Sequence, residues 1–390
     1  MFGSMFIGLS GMRAYSEGLR QVSNNITNLN SSGFKSSDIV FTDLFGSGAR
    51  GIGLSNAGGG TSQGVALTDL RLDFRQGELR QSNRGLDLAI DGAGFLVLEK
   101  GGEFSYARTG SFEVDEDGFV VLAGTDYRLT VIGASGNPEA VSIAPYRTNP
   151  PNATTAIKFA DNLSSTATEF SLADITVYDA LGKSDNWKVA FSRSETDPAG
   201  EWKVSVKNGA GTEIATHTLE FTNGVIDSAS AKFTVTHDGR SAELDFSENV
   251  TSFSSGSIST LRTASANGNA VGDIVNILVN EAGALEISYS NAQKQSLGPV
   301  TLADFRDPQA LEQKSGGLFA YNGEGGRDFF TSENGRVGRV LSSRSEASNV
   351  DLSAQFGDLI LVQRGYQAAS QIVSVSNEMI QQLFGLRGQG

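Results

Sequence analysis

Two amphipathic helices, one at each end, constrain this chain more than anything between them, because neither has a partner close by in sequence. Met12, Tyr15, Leu19, Val22, Ile26 and Leu29 recur at alternating steps of three and four, the seam of a heptad-like helix that runs into the stop signal NLNSSGFK. At the far end Leu359, Val362, Tyr366, Ala369, Val373, Ser376, Ile380 and Leu383 keep the same rhythm, and Leu361, Ala368, Ile372, Val375 and Met379 form a neighbouring stripe. Two stripes need more than one partner. With no third or fourth helix inside the chain to complete a bundle, the pattern points to packing between chains. Gly8, Gly11 and Gly18 each cost the first helix about 1 kcal/mol relative to Ala. Both arms are therefore expected to be disordered in a free subunit and to fold on assembly.

The polar faces support this. A solvent-washed helix normally shows Lys and Glu, whereas here Gln363, Gln367, Gln371, Ser374, Asn377 and Gln381 occupy that face, which suits a crowded or channel-lining place. Asn24, Asn25 and Asn28 fit two roles: plain helix surface, or hydrogen bonding to neighbouring subunits or to the connection after Gly33.

At 390 residues the chain suggests two or three units, and its net charge of −14 offers no basic footprint for nucleic acid or an anionic membrane. The terminal segments together carry −1, so residues 71–349 hold the remaining −13. With no cysteine, disulfides and thiolate metal sites are excluded and the compartment is left open. The apolar opening MFGSMFIGLSGM is broken by glycines and lacks a basic start, so neither a signal peptide nor a membrane anchor is expected.

Residues 34–70 are expected to be a long extended linker between terminal helices (1–33 and 350–390) and the body. From Leu70 alternation takes over, with short strands and hairpins to about 145, a breaker cluster YRTNPPNATTA, and a further series of strands. The expected order is a middle β domain (71–145 and 281–349) interrupted by an inserted outer β domain (146–280) of barrel or sandwich type. The fold class is thus mainly β with coiled-coil-like α-helical termini.

Four stretches carry a family likeness. SNNITNLNSSGFK (23–35), FRQGELRQSNRGLDLAIDGAGFLVL (74–98), YARTGSFEVDEDGFVVLAGTDYRL (106–129) and SNVDLSAQFGDLILVQRGYQAASQIVSVSNEMIQQLFGL (348–386) resemble, in order, the signatures of the bacterial flagellar rod and hook axial proteins. Ser23 stands where Ala is usual, and Ala369 where Asn is usual; both bear on local packing. Residues 146–280 match no motif, and an insertion of that size favours the hook members over a distal-rod subunit. The resemblance implies a non-enzymatic subunit that polymerises into a curved tube transmitting torque from rod to filament. It also implies export by the flagellar type III apparatus without a cleaved signal, and contacts with distal rod, hook cap and hook–filament junction proteins. The expected subunit-packing residues are Met12, Tyr15, Leu19, Val22, Asn24, Asn25, Ile26, Asn28, Leu29, Leu359, Val362, Tyr366, Ala369, Val373, Ile380 and Leu383.

Other chemistry is weak. GSGARG (46–51) fits GxGxxG without the strand and helix that dinucleotide binding requires, and SGFK (32–35) fits SxxK without its companion motifs. EVDEDG (113–118) has calcium-loop spacing but Gly124 in place of the closing Glu, so a hairpin with a type I′ turn at Asp117-Gly118 is expected. His217 and His237 lack carboxylates at ligand spacing. No metal or cofactor is expected. From a different class, a secreted β-rich adhesin or glycan-binding protein would use Trp187 and Trp202 as a stacking platform, against their ordinary use as core.

Overall fold

The computed structural model describes residues 2–38, 40–45, 62–67, 71–194, 197–198, 200–323, 326–332 and 334–387. It is mainly β, with one long helix at each end: α1 (Phe2–Thr27) and α2 (Leu352–Arg387). After α1 the chain reverses through Gly33, whose φ of 71° is open to glycine at little cost. α2 starts at Asp351, whose carboxylate accepts from the backbone N–H groups of Ser353 (2.8 Å) and Ala354 (3.2 Å), a side-chain N-cap. Within the 34–70 connection the strands Phe41–Phe45 and Ser62–Leu67 pair antiparallel, so this segment is more structured than a bare linker. GSGARG lies outside the described residues.

The chain divides into two units. The first comprises Met1–Ala144, Ile277–Glu286 and Ser296–Gly390; the second comprises Pro145–Asn276 and Ile287–Gln295. The 287–295 tip falls with the second unit because Ser290 N–H donates to Asp273 O (2.9 Å) and Tyr289 OH to Tyr146 O (2.7 Å).

In the first unit a twelve-stranded sheet runs, along its main path, from Leu311–Gln313 through Leu318–Tyr321, Glu103–Ala107, Phe95–Lys100, Arg128–Ile132, Val120–Leu122, Thr109–Val114 and Asp87–Asp91 to Arg339–Ser342. Its core is aromatic. Phe95 and Tyr106 meet Phe305 edge-on at 5.4 and 4.7 Å between ring centroids, and Phe319 closes the cluster.

In the second unit Glu169–Tyr178, Ser184–Ser192, Glu201–Lys207 and Glu213–Thr222 form a meander that continues through Val225–Ile226, Val250–Thr251, Ala156–Asn162 and Arg240–Asp245 to Lys232–His237. The first and last strands of this path do not pair, so among the described residues there is no closed barrel. Alternation decides what is inside: Trp202, Val204 and Val206 are buried between Lys203, Ser205 and Lys207. Trp187 and Trp202 are both fully buried in this core, so neither offers a face to a sugar.

The EVDEDG hairpin forms, but with a different turn. Gly118 alone takes positive φ, and the loop closes by Asp115 N–H to Phe119 O (2.9 Å) and Phe119 N–H to the Asp115 carboxylate (2.7 Å). A type I′ turn needs positive φ at both central residues. That turn occurs instead at Asn223-Gly224, φ 53° and 79°.

Trp202→Ala removes a buried indole and is expected to cost about 3–5 kcal/mol. Urea unfolding followed by the fluorescence of Trp187 checks it; a loss below about 1 kcal/mol would mean the site collapses freely and is not the packed core described.

Candidate functional site

The two terminal helices pack on each other within the first unit, and α1 brings mostly glycine and alanine to the contact. Along α1 the buried positions are Gly8, Gly11, Ala14, Gly18, Val22 and Asn25; along α2 they are Gln355, Val362, Ala369 and Ser376, one every second turn. A Cβ at Gly8 would lie 2.7 Å from Val373 Cγ2, and one at Gly11 3.3 Å from Ala369 Cβ. Gly365 is pressed in the same way against the ring of Tyr15. The glycines thus let the backbones approach closely, a return on the helix propensity they cost.

Of the apolar positions read from sequence, Val22, Val362 and Ala369 are buried in this contact. Tyr15 and Val373 touch the opposite helix while half-buried, and Met12, Leu19, Ile26, Leu29, Leu359, Tyr366 and Ile380 are half-buried as well. The side chain of Leu383 lies outside the described residues. Phe356, Ile360, Leu361, Ile372, Val375 and Met379 on α2, and Phe6, Ile7 and Leu9 on α1, remain exposed, a large apolar surface for two helices already paired.

The three asparagines separate in role. Asn25 is buried, and its amide N–H groups donate to Ser37 O (3.0 Å) and to Gln355 Oε1 (2.9 Å), tying α1 to the connection and to α2. Asn28 donates back to Asn24 O (2.9 Å) within the helix. Asn24 and Asn28 line an open groove of about 880 Å³ with Gln21, Ser31, Ser32, Phe34, Ser37, Leu72 and residues 311–317.

Below the helices lies a charged root that sequence reading missed. Glu346 is fully buried, and its carboxylate accepts from Lys35 Nζ (2.7 Å), Arg108 Nε (3.2 Å) and Gly77 N–H (2.8 Å). Lys35 also donates to Arg75 O (2.7 Å), and Arg108 to the carbonyls of Gly92 and Gly94. Burial pushes the Lys35 ammonium below its ordinary 10.5 despite the pull of Glu346, and burial likewise lowers Arg108. Glu346 O accepts from Gly33 N–H (2.8 Å), and Asn349 joins Ser36 to the carbonyls of Asp73 and Arg75. Residues leaving α1 and residues entering α2 are thereby fastened to the same piece of sheet. The SGFK lysine is a structural cation: its ammonium is held by Glu346 and the Arg75 carbonyl.

The histidines serve locally: His217 Nε2 pairs with Ser230 O (2.9 Å) and His237 Nε2 with Asn208 (3.2 Å). Among the described residues no group of three His, Cys, Asp or Glu side chains is placed to hold a metal, and no helix is long and apolar enough to cross a membrane.

Comparison with known proteins gives consistent matches over the chain. A family model described as the flagellar basal body protein FlaE D2 domain matches residues 146–313, and one described as the flagellar basal body rod FlgEFG protein C-terminal matches 341–386. The flagellar hook protein FlgE of Salmonella typhimurium is 30% identical over 414 residues, covering 97% of this chain and 98% of that protein. The Escherichia coli K12 protein of the same name is 30% identical with the same coverage, and that of Treponema pallidum 26% identical over 464 residues, covering 99% of this chain and all of that one. The crystal structure of Helicobacter pylori flagellar hook protein FlgE2 aligns at a TM-score of 0.49 and 12% identity, covering 69% of this chain and 99% of that chain.

Glu346→Gln leaves two buried cations without their counter-charge and is expected to cost about 3–5 kcal/mol, read by thermal or urea unfolding. Asp73 supplies a pH signature. Its hydrogen bond from the Arg75 side chain holds its carboxyl below the ordinary 3.8, so the folded chain keeps it ionised to lower pH than the unfolded chain. That contribution is full above the unfolded value and is lost as pH falls through the folded one. Asp73→Asn should accordingly flatten part of the fall in Tm below pH 4; an unchanged acid limb would refute it.

Proposed function

Because this chain belongs to the flagellar hook protein family and is a structural subunit of the flagellar hook, we propose that α1 and α2 form the inner wall of a helical tube, each pair packing on pairs from neighbouring copies. The observation that carries this is the apolar stripe left open on α2 after α1 has taken its seam: Leu361, Ile372, Val375 and Met379 stay exposed. Such a stripe needs a further helix, and in a polymer that helix belongs to another subunit. The packing set is Met12, Tyr15, Leu19, Val22, Ile26 and Leu29 with Leu359, Val362, Tyr366, Ala369, Val373, Ile380 and Leu383, and Asn24, Asn25 and Asn28 supply polar contacts at the end of α1.

In radial order the helices (1–33 and 350–390) lie inside, the 71–145 and 281–349 domain in the middle and the 146–280 domain outermost, with 34–70 spanning the layers. The repeating head-to-tail contact does not close, so one subunit generates a tube. That tube is curved and flexible, and acts as a universal joint passing torque from rod to filament. Its helical contacts hold while contacts between outer domains release and re-form as each subunit passes through the bend.

The protein is exported by the flagellar type III apparatus without a cleaved signal and meets distal rod, hook cap and junction proteins at the ends of the tube. The family is not known to be enzymatic, and the proposed role needs no catalysis.

Leu361→Asp with Met379→Asp changes only exposed positions, so the isolated subunit should keep its stability within about 0.5 kcal/mol per site. Electron microscopy of concentrated protein should show tubes for the unmodified chain and none for the double variant. Tubes from both would mean the stripe is not an assembly surface.

A further inference from the structure

A backbone N–H that follows asparagine can attack that residue's own side-chain amide, and glycine, lacking Cβ, hinders the approach least. The chain has five Asn-Gly pairs, beginning at Asn208, Asn223, Asn267, Asn322 and Asn334. Their surroundings differ. Asn267 accepts from the N–H groups of Thr155 and Ala156, Asn322 donates to Glu312, Asn334 accepts from Arg336 N–H, and Asn223 sits at φ 53° in its turn. Asn208 alone has an imidazole against its amide nitrogen.

Asn208 lies half-buried at the start of the loop that joins Glu201–Lys207 to Glu213–Thr222, and the rest of that loop is exposed. Its Oδ1 accepts from Thr212 N–H (2.9 Å), which fixes the way round of the side chain and turns Nδ2 toward His237 Nε2 (3.2 Å). The next backbone N–H, that of Gly209, donates to Asp185 Oδ1 (3.2 Å). Asp185 is steadied by Trp187 Nε1–H, which donates to its other oxygen (3.0 Å). A Cβ at Gly209 would lie 2.8 Å from Asp185 Oδ1, so glycine is what lets the carboxylate come so near.

Each atom that deamidation needs thus has a suitable group beside it: a base on the nucleophile, a donor on the carbonyl oxygen and an imidazole on the leaving nitrogen. We propose that Asn208 is a self-modifying site, where Asp185 and His237 assist attack by Gly209 N and water then leaves a carboxylate in place of the amide.

Gly209 N gives its proton to the Asp185 carboxylate and bonds to Asn208 Cγ, while the carbonyl electron pair moves onto Oδ1, where Thr212 N–H meets it. The tetrahedral carbon then collapses, and Nδ2 takes a proton from protonated His237 and leaves as ammonia. Asp185 returns its proton to solvent and His237 regains one, so ring closure releases only ammonia. Water adds to either carbonyl of the cyclic imide and breaks one C–N bond, giving aspartate or isoaspartate at 208. An open groove of about 520 Å³, lined also by Asp174, Asn186, Lys188 and Lys207, admits that water. The product puts a new negative charge between Asp185 and His237, and the change is irreversible, so it accumulates with the age of each molecule. None of this depends on assembly, because the reacting groups all belong to the second unit.

The full chain is aged folded in neutral buffer and, separately, unfolded in urea, and all five Asn-Gly pairs are followed by peptide mapping with mass spectrometry. In the folded chain Asn208 should convert at least about tenfold faster than the other four, and faster than it does in urea. Asp185→Asn and His237→Gln keep the shape of the site and remove the proton transfers. Each, checked by circular dichroism, should slow Asn208 at least about tenfold and leave the other pairs unchanged. Conversion of Asn208 no faster than its four counterparts, or no faster folded than unfolded, would overturn the proposal whether or not a variant folds. So would a fast reaction that neither substitution slows.

Discussion

The structure of the first unit depends on one carboxylate. Glu346 is shared by Lys35 and Arg108 in a site with almost no exposure, and the three charges are completed by backbone groups of Gly77, Arg75, Gly92 and Gly94. Taking two cations and an anion out of water is expensive, so such a cluster contributes less to stability than to geometry, because it tolerates few arrangements. Here the arrangement fixes where α1 ends and where α2 begins. A root built from well-packed apolar residues would hold as firmly but would specify direction less strictly.

Above the root, stiffness comes from close approach rather than from large side chains. α1 spends Gly8, Gly11, Ala14 and Gly18 on its contact with α2 and keeps Met12, Leu19 and Ile26 half-buried. A helix using its largest apolar residues on its own partner would have little left to offer a neighbour.

The sequence made some of this legible and hid the rest for identifiable reasons. The α2 seam through Val362 and Ala369 could be read directly, since hydrophobic periodicity reports burial when the contact is made by apolar side chains. The face that α1 turns to α2 lies one stripe away from its apolar seam and was not read, because glycine registers as weakness on a propensity scale and not as a surface, although its spacing at 8, 11 and 18 with Ala14 was there to be seen. The root could not be found at all: Lys35 and Glu346 stand 311 residues apart, and a lone Lys or Glu in a chain with 74 charged residues carries no mark. Strand content and the buried tryptophans followed from alternation. The open sheet and the turn at Asp117-Gly118 did not, because closure and turn type depend on pairing partners and on φ values that composition leaves undetermined.

The root also sets an order of events. Asn25 reaches Gln355 across 330 positions, and the first helix finds its seam only on the last element of the chain. Contacts of such separation close late, because the loop between them must be ordered or tolerated first. A chain delivered from its N-terminus therefore stays unlatched through most of its length and becomes a finished part only when its final segment arrives. On the proposed export route, where the chain would travel extended and harden at its destination, the maturation clock is written into the topology itself.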